Sequence, residues 1–153
     1  MKAQLALNPD SVEGSELVQE TFEFWFSDRE HIRSPFPAYI QNDLKRISTE
    51  RFFGWAKNLK DEAKDEMNEE MIGEKFEEII FDAATQLVKT DDERITILYP
   101  FLPRCGDSVI DEHQIKGSIK DRWIERDNDK ARLKVKFETA DHQLRETSFE
   151  LPL

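Results

Sequence analysis

Cysteine is nearly missing from this chain: of 153 residues only one, Cys105, carries a thiol. No internal disulfide can form, and such usage fits a reducing compartment. Glycine is scarce, at five residues, and the sequence holds no Gly-rich phosphate loop, no G-x-S-x-G and no H-E-x-x-H, so the usual sequence marks of nucleotide, acyl-transfer and zinc-protease sites are missing. No apolar run approaches ~18 residues, which excludes a transmembrane helix. Met1 to Asn8 lack the apolar stretch of a signal peptide, and the expected location is cytoplasmic. Histidine occurs three times, as His31, His113 and His142. A di-metal site in a helical bundle wants a Glu-x-x-His pair on each of two inward-facing helices. The gap between His31 and His113 leaves the acidic helices without one. Cys105, Asp107 and His113 match no zinc spacing. Arg104 beside Cys105 would lower a thiol pKa, but nothing places a base within its reach, so Cys105 reads as an ordinary loop residue. No metal and no cofactor are expected.

What the chain has is aromatic bulk and negative charge. Eleven Phe, three Trp and two Tyr can dominate a core in a sequence that is 38% hydrophobic and 36% charged. At this length, roughly 68–70% of the surface exposed in the unfolded chain is buried on folding. The net charge of −11 argues against simple binding to a nucleic-acid backbone. It is unevenly spread. Residues 1–112 hold 25 acids and 13 Lys/Arg, a net of −12, whereas residues 113–153 hold 8 acids and 9 Lys/Arg, a net of +1.

The hydrophobic period also changes, near residue 90. Before it the spacing predicts helices, after it strands, with no Gly-, Pro- or Ser-rich linker between. The expected architecture is a single α+β domain over 1–153, with about four N-terminal helices packed on one face of a C-terminal antiparallel sheet of four to five strands that ends in a β-meander. Residues 1–13 read as a loose lead-in. Ser15 is placed as a helix cap, with Val18, Phe22 and Trp25 on one face. Ser34-Pro35-Phe36-Pro37 breaks the chain, and a short helix with Ile40, Leu44 and Ile47 follows. Ser48 is the next expected cap, leading a stripe through Phe52, Ala56, Leu59, Ala63 and Met67. Gly73 marks either a kink or a join before Phe76 and Ile80. Thr90-Asp91-Asp92-Glu93 closes the helical half. Ile95 to Phe101, almost wholly apolar, reads as a central strand, with a short strand at Val109 and Ile110. Turns at Asp127-Asn128-Asp129 and Ala140-Asp141-His142 divide the meander. Its wet face shows in the alternation of Leu133, Val135 and Phe137 with Arg132, Lys134 and Lys136.

Two surfaces and one misplaced residue are the functional candidates. Residues 60–82 carry ten acids against three lysines. Within them Glu69, Glu70, Glu74, Glu77 and Glu78 are candidates to face a basic partner. On the meander, Lys120, Arg122, Lys134 and Lys136 fall at outward positions, a candidate site for an anionic partner or for another copy of the chain. If the apolar sets share one face, paired residue numbers sum to an even value. Either sum that fits sets like charges opposite, Arg122 against Lys134 or against Lys136. On the third strand, a sum of 282 sets Lys136 against Glu146 and Arg132 against Glu150. Asp121 falls between Ile119 and Trp123 on the apolar side. Either a bulge turns it outward, or Asp121 and Trp123 line a polar pocket between helices and sheet. The expectation is a small acidic, non-enzymatic protein-interaction module, of the adaptor, chaperone-like or immunity-inhibitor kind. The alternative is a small-molecule or enzymatic pocket at Asp121 and Trp123.

Overall fold

The computed structural model describes residues 2–28 and 33–151, so His31 lies outside the described residues. The chain is α+β, helical first and then an antiparallel sheet, and it divides into two compact units at Lys89/Thr90.

The first unit holds five helices: α1 (Lys2–Leu5), α2 (Val12–Phe26), α3 (Ala38–Lys57), α4 (Asp61–Glu66) and α5 (Glu69–Leu87). Helix α2 is capped four residues before the expected position. Ser11, not Ser15, is the N-cap, and its Oγ accepts from the Gly14 backbone N–H at 2.9 Å. The same hydroxyl reaches back to the carbonyls of Leu5 and Asn8, which folds the preceding residues onto the helix start. Gly14 permits this close approach, since a Cβ there would lie 2.3 Å from the Asn8 carbonyl oxygen. Leu7 is consequently buried.

Helix α3 runs unbroken through Ser48. Ile40, Leu44, Ser48, Phe52 and Ala56, four residues apart, form one buried stripe. A serine caps a helix only where the preceding chain leaves the helical region. Here the apolar repeat continues on both sides of Ser48, with no Gly or Pro from Ala38 to Phe53, so the helix propagates. The chain breaks instead at Asn58 to Lys60, giving the short α4. It breaks again at Asn68, which caps α5 through a 2.8 Å bond from Met71 N–H. Residues 49–89 therefore comprise the end of α3 and two further helices, and α5 runs through Gly73. Helices α3 and α5 meet at Phe52 and Phe76, whose rings stack at 4.7 Å. Phe22 from α2 meets Phe76 edge-on at 5.5 Å. Trp25 is half-buried, packed edge-on against Phe24, Phe36 and Phe81.

The second unit begins with a helix where a strand was expected. Thr90 and Glu93 form a reciprocal capping box, and Asp91, Asp92 and Glu93 occupy the first turn of α6 (Asp91–Leu98). The T-x-x-E spacing and three acids at the positive end of the helix dipole decide the local structure. They outweigh the apolar run from Ile95 onward. A loop then leads to β1 (Ser108–Ile110), β2 (Lys116–Asp127), β3 (Lys130–Thr139) and β4 (Leu144–Glu150), an antiparallel sheet in sequential order. Both meander turns fall where expected, with Asn128 and His142 at positive φ. Ile119, Leu133, Val135, Phe137 and Leu151 pack with Ile95 and Val109 into this unit's core. Gly117 sits against Phe137, where a Cβ would come within 2.5 Å of the ring.

The β3–β4 register sets Lys136 opposite Glu146 and Arg132 opposite Glu150, as anticipated. The β2–β3 register departs from expectation. Ile119 pairs with Phe137, but a bulge at Lys120 then shifts the pairing to Asp121–Lys136, Arg122–Val135, Trp123–Lys134 and Ile124–Leu133. One extra residue inverts the facing of the remainder of β2. Arg122 turns to the core side, and Asp121 and Trp123 to the other. For Asp121 this is the outward placement by a bulge, one of the two alternatives; for Arg122 and Trp123 it corrects the expected facing, and it explains why Trp123 is half-buried while Arg122 is buried.

The buried stripe of α3 allows a test with two outcomes of opposite sign. Ser48 is fully buried and its hydroxyl has no hydrogen-bond partner among the described residues. Ser48→Ala removes an unsatisfied polar group from a helix interior and should stabilise the protein by about 1 kcal/mol. Phe52→Ala, one turn on, should destabilise it by ~3–5 kcal/mol. Urea unfolding monitored by circular dichroism reads both; a Ser48→Ala midpoint below the parent's contradicts the packing described.

Candidate interaction surfaces and the arginine clasp

The bulge gives the guanidinium of Arg122 a dense set of partners within the second unit. Its side chain is fully excluded from solvent. Nε donates to Asp92 Oδ1 at 2.6 Å, Nη1 to the Pro103 carbonyl at 2.9 Å, and Nη2 to the Asp92 carbonyl at 2.9 Å and to Thr96 Oγ1. The Asp121 carboxylate accepts from the Arg122 backbone N–H at 2.8 Å. Arginine suits this role because its charge never titrates away and its donors fan out in one plane. The group ties β2 to the start of α6 and to the loop before β1. Sequence reasoning missed Asp92, yet an arginine beside a strand bulge facing an acidic helix start was its available signal.

Cys105 lies at the edge of this clasp, with Sγ 3.6 Å from Asp92 Oδ1. Burial pushes its thiol pKa up, and the Asp92 carboxylate pushes further in the same direction against the pull of Arg122. The thiol is thus held in its protonated form, the opposite of what a nucleophile needs. The two described histidines are engaged on the surface. His113 stands 3.6 Å from Glu112, and His142 Nδ1 lies 2.8 Å from Glu138.

A second buried polar feature is Asp111, just after β1. Its carboxylate accepts from the backbone N–H groups of His113 and Ile115, both at 2.9 Å, and stands 3.4 Å from Arg145. Burial pushes this carboxyl up. The two backbone donors and the Arg145 charge together outweigh it and hold the group below its ordinary value. A depressed carboxylate stabilises the fold above its unfolded pKa, and that stabilisation is lost as pH falls through the folded value.

The basic candidates are dispersed by the register. Lys120 is exposed on the bulge, Arg122 is in the clasp, and Lys134 and Lys136 are half-buried on the outer face. Opposite charges, not like ones, face each other across the strands. Lys136 sits between Asp121 and Glu146, and Arg132 between Glu125 and Glu150. Lys134 sits between Trp123 and Ser148. Around Lys116 and Lys120, a depression of about 430 Å³ also holds Glu138. Asp121 and Trp123 neighbour each other on this outer face, away from Val135 and Phe137.

The acidic candidates stay together. Glu69, Glu70, Glu74, Glu77 and Glu78 are all exposed along α5. Glu78 pairs with Lys75 at 3.5 Å, whereas Glu74 and Glu77 form no ion pair among the described residues. Burial pushes the Glu77 carboxyl up, and the neighbouring Glu74 charge adds to it. A cleft of about 380 Å³ is lined by Glu69 of α5 and by Glu13, Glu16 and Glu20 of α2. The helical unit, residues 1–89, has 19 acids against 11 Lys/Arg, a net of −8. Among the described residues no group of His, Cys, Asp and Glu is arranged to hold a metal ion, and no helix is long and apolar enough to cross a membrane. Comparison of the chain with protein-family models, with curated proteins and with solved structures returned no match.

The clasp predicts a graded loss. Arg122→Gln leaves the Pro103 and Asp92 carbonyls and Thr96 without a donor and should cost about 2–4 kcal/mol. Asp92→Asn keeps the shape but loses the charge, and should cost less because Asp92 is half-exposed. Chemical denaturation of both variants, followed by sheet circular dichroism, checks the order. For Asp111→Asn, the stability difference from the parent should be largest near neutral pH and shrink as the solution is acidified.

Proposed function

We propose that the protein is a non-enzymatic interaction module that presents the acidic face of α5 to a basic protein partner. The observation that carries this reading is the contrast between the two charged surfaces. On the sheet, Lys136 and Arg132 lie between carboxylates of the same sheet. On α5, Glu74 and Glu77 crowd each other without an ion pair among the described residues, and burial together with the Glu74 charge pushes the Glu77 carboxyl above its ordinary value. A raised carboxylate works against folding once ionised: its contribution is present at low pH and lost as pH rises through the folded value. A partner that supplies Lys or Arg side chains would relieve that repulsion on binding. Complementary charge of this kind sets orientation and association rate more than raw affinity, and it is screened over ~8 Å at physiological salt.

The groups that could support an enzymatic reading already have structural partners. Cys105 is held as the neutral thiol beside Asp92, Glu138 holds His142, and Asp121 is exposed and turned away from the core side of the sheet. These placements support an interaction role over a pocket at Asp121 and Trp123.

The test is a comparison of two variants with the parent in capture from native extract at low and high salt, with mass spectrometric identification. Glu74→Gln/Glu77→Gln/Glu78→Gln should lose basic proteins that the parent retains at low salt. Lys134→Gln/Lys136→Gln should retain them. The acidic variant should also melt no lower than the parent, since removing one like-charge pair on a helix gains about 0.2–0.5 kcal/mol. Equal retention of the same basic proteins by the α5 variant and the parent would sink the reading.

A further inference from the structure

A different part of the helical unit carries the opposite charge character. A cavity of about 530 Å³ opens beside the end of α1, the loop after it, the last turns of α3 and helix α4. Its apolar wall is Leu7, Pro9, Phe53 and Ala56, and its charged lining is Lys57 and Lys64, with no carboxylate among the lining residues. In a unit with a net charge of −8, that is an unusual local composition. Neither lysine forms an ion pair among the described residues. Hydrogen bonds fix the walls. Ser11 holds the loop through the Leu5 and Asn8 carbonyls, and the Gln4 side-chain amide donates to the Asp65 carbonyl of α4 at 3.2 Å. Gly54 forms part of the lining, and a Cβ built there meets nothing within 4 Å.

Small-molecule sites are concave, mostly apolar and ~300–1,000 Å³ in size, with a few polar groups that fix orientation. We propose that this cavity binds a free amphiphilic carboxylate. The apolar body lies against Leu7, Pro9 and Phe53, and the carboxylate is held by the ammonium groups of Lys57 and Lys64. A neutral ligand of the same shape would leave two ammonium groups unmatched. An apolar cation would be repelled. This site is separate from the acidic face of α5, and either can fail without the other.

Decanoate, kept below its micelle concentration in low salt, is the probe, and calorimetric titration of the full chain is the measurement. Saturable one-to-one binding is expected, with decanol bound at least about fivefold more weakly because it lacks the charge. Lys57→Gln and Lys64→Gln should each weaken decanoate by about two- to fivefold, as expected for partly exposed charge pairs, and leave decanol unchanged. Gly54→Leu places a side chain in the open space and improves helix propensity; it should abolish binding while the thermal midpoint holds or rises. If Gly54→Leu melts below the parent, the lysine variants decide: loss of the preference for decanoate over decanol supports the site, and an unchanged preference overturns it. The proposal also falls if decanoate gives no saturable heat, if decanol binds as tightly, or if a well-folded Gly54→Leu binds like the parent. It falls equally if the parent ignores decanoate but adheres to anionic vesicles with the same lysine dependence.

Discussion

One guanidinium organises the sheet unit. A charged side chain with no exposure to solvent is tolerated only when its donors are matched. Arg122 meets that demand by drawing to itself a helix start, a loop carbonyl and a helix hydroxyl that precede it by up to 30 residues in sequence. The bulge at Lys120 is the geometric condition for it, because with Lys120 paired in the ladder Arg122 would lie on the outer face. The electrostatic pattern of the outer face follows from the same bulge. The register that buries Arg122 also brings Asp121 to Lys136 and Glu125 to Arg132. Fold and surface charge are thus two results of one irregularity.

The helical unit is held by a different kind of force. Its centre is a set of rings, Phe22, Phe52 and Phe76, with α3 and α5 packed against each other through the stacked pair. Stacked and edge-on arrangements suit the quadrupoles of aromatic rings. With the apolar stripes facing inward, the carboxylates are left on the outer faces of α2 and α5. The crowding of Glu74 and Glu77 is a by-product of that amphipathic pattern, and among the described residues no lysine pairs with either. It is a surface property at odds with local stability, and such conflicts concentrate where proteins meet partners.

Much of the architecture was legible in the residues. The alternation in Leu133, Val135 and Phe137 located β3, the turn residues located both hairpins, and the change of period near residue 90 separated helices from sheet. What was illegible has physical reasons. Ser48 carries the side chain of a cap, but its neighbours continue a helix, so tertiary burial prevailed over local propensity. Ile95 and its followers have the composition of a buried strand, and only the short capping box ahead of them signals a helix. The bulge left no mark in the apolar pattern except Asp121 standing out of phase. That single anomaly shifts Arg122, Trp123 and the whole set of cross-strand charge partners. The cavity beside Gly54 was invisible because it is built by residues from three separate helices and a loop.

The odd register has a consequence for how this sequence can vary. Along β2 beyond Ile119, which residues face the core is set by a count of residues as well as by their chemistry. Losing Lys120 alone would leave composition and hydrophobicity almost unchanged. It would also straighten β2 without moving its faces: Asp121 would follow Ile119 in regular alternation, with Asp121 and Trp123 still outward and Arg122 and Ile124 still on the core side. Most single substitutions on this strand alter one contact, whereas a residue inserted or deleted at a paired position exchanges the facing of the residues on one side of it. The bulge is therefore the place where β2 can lose a residue and keep both faces, because the ladder leaves Lys120 unpaired.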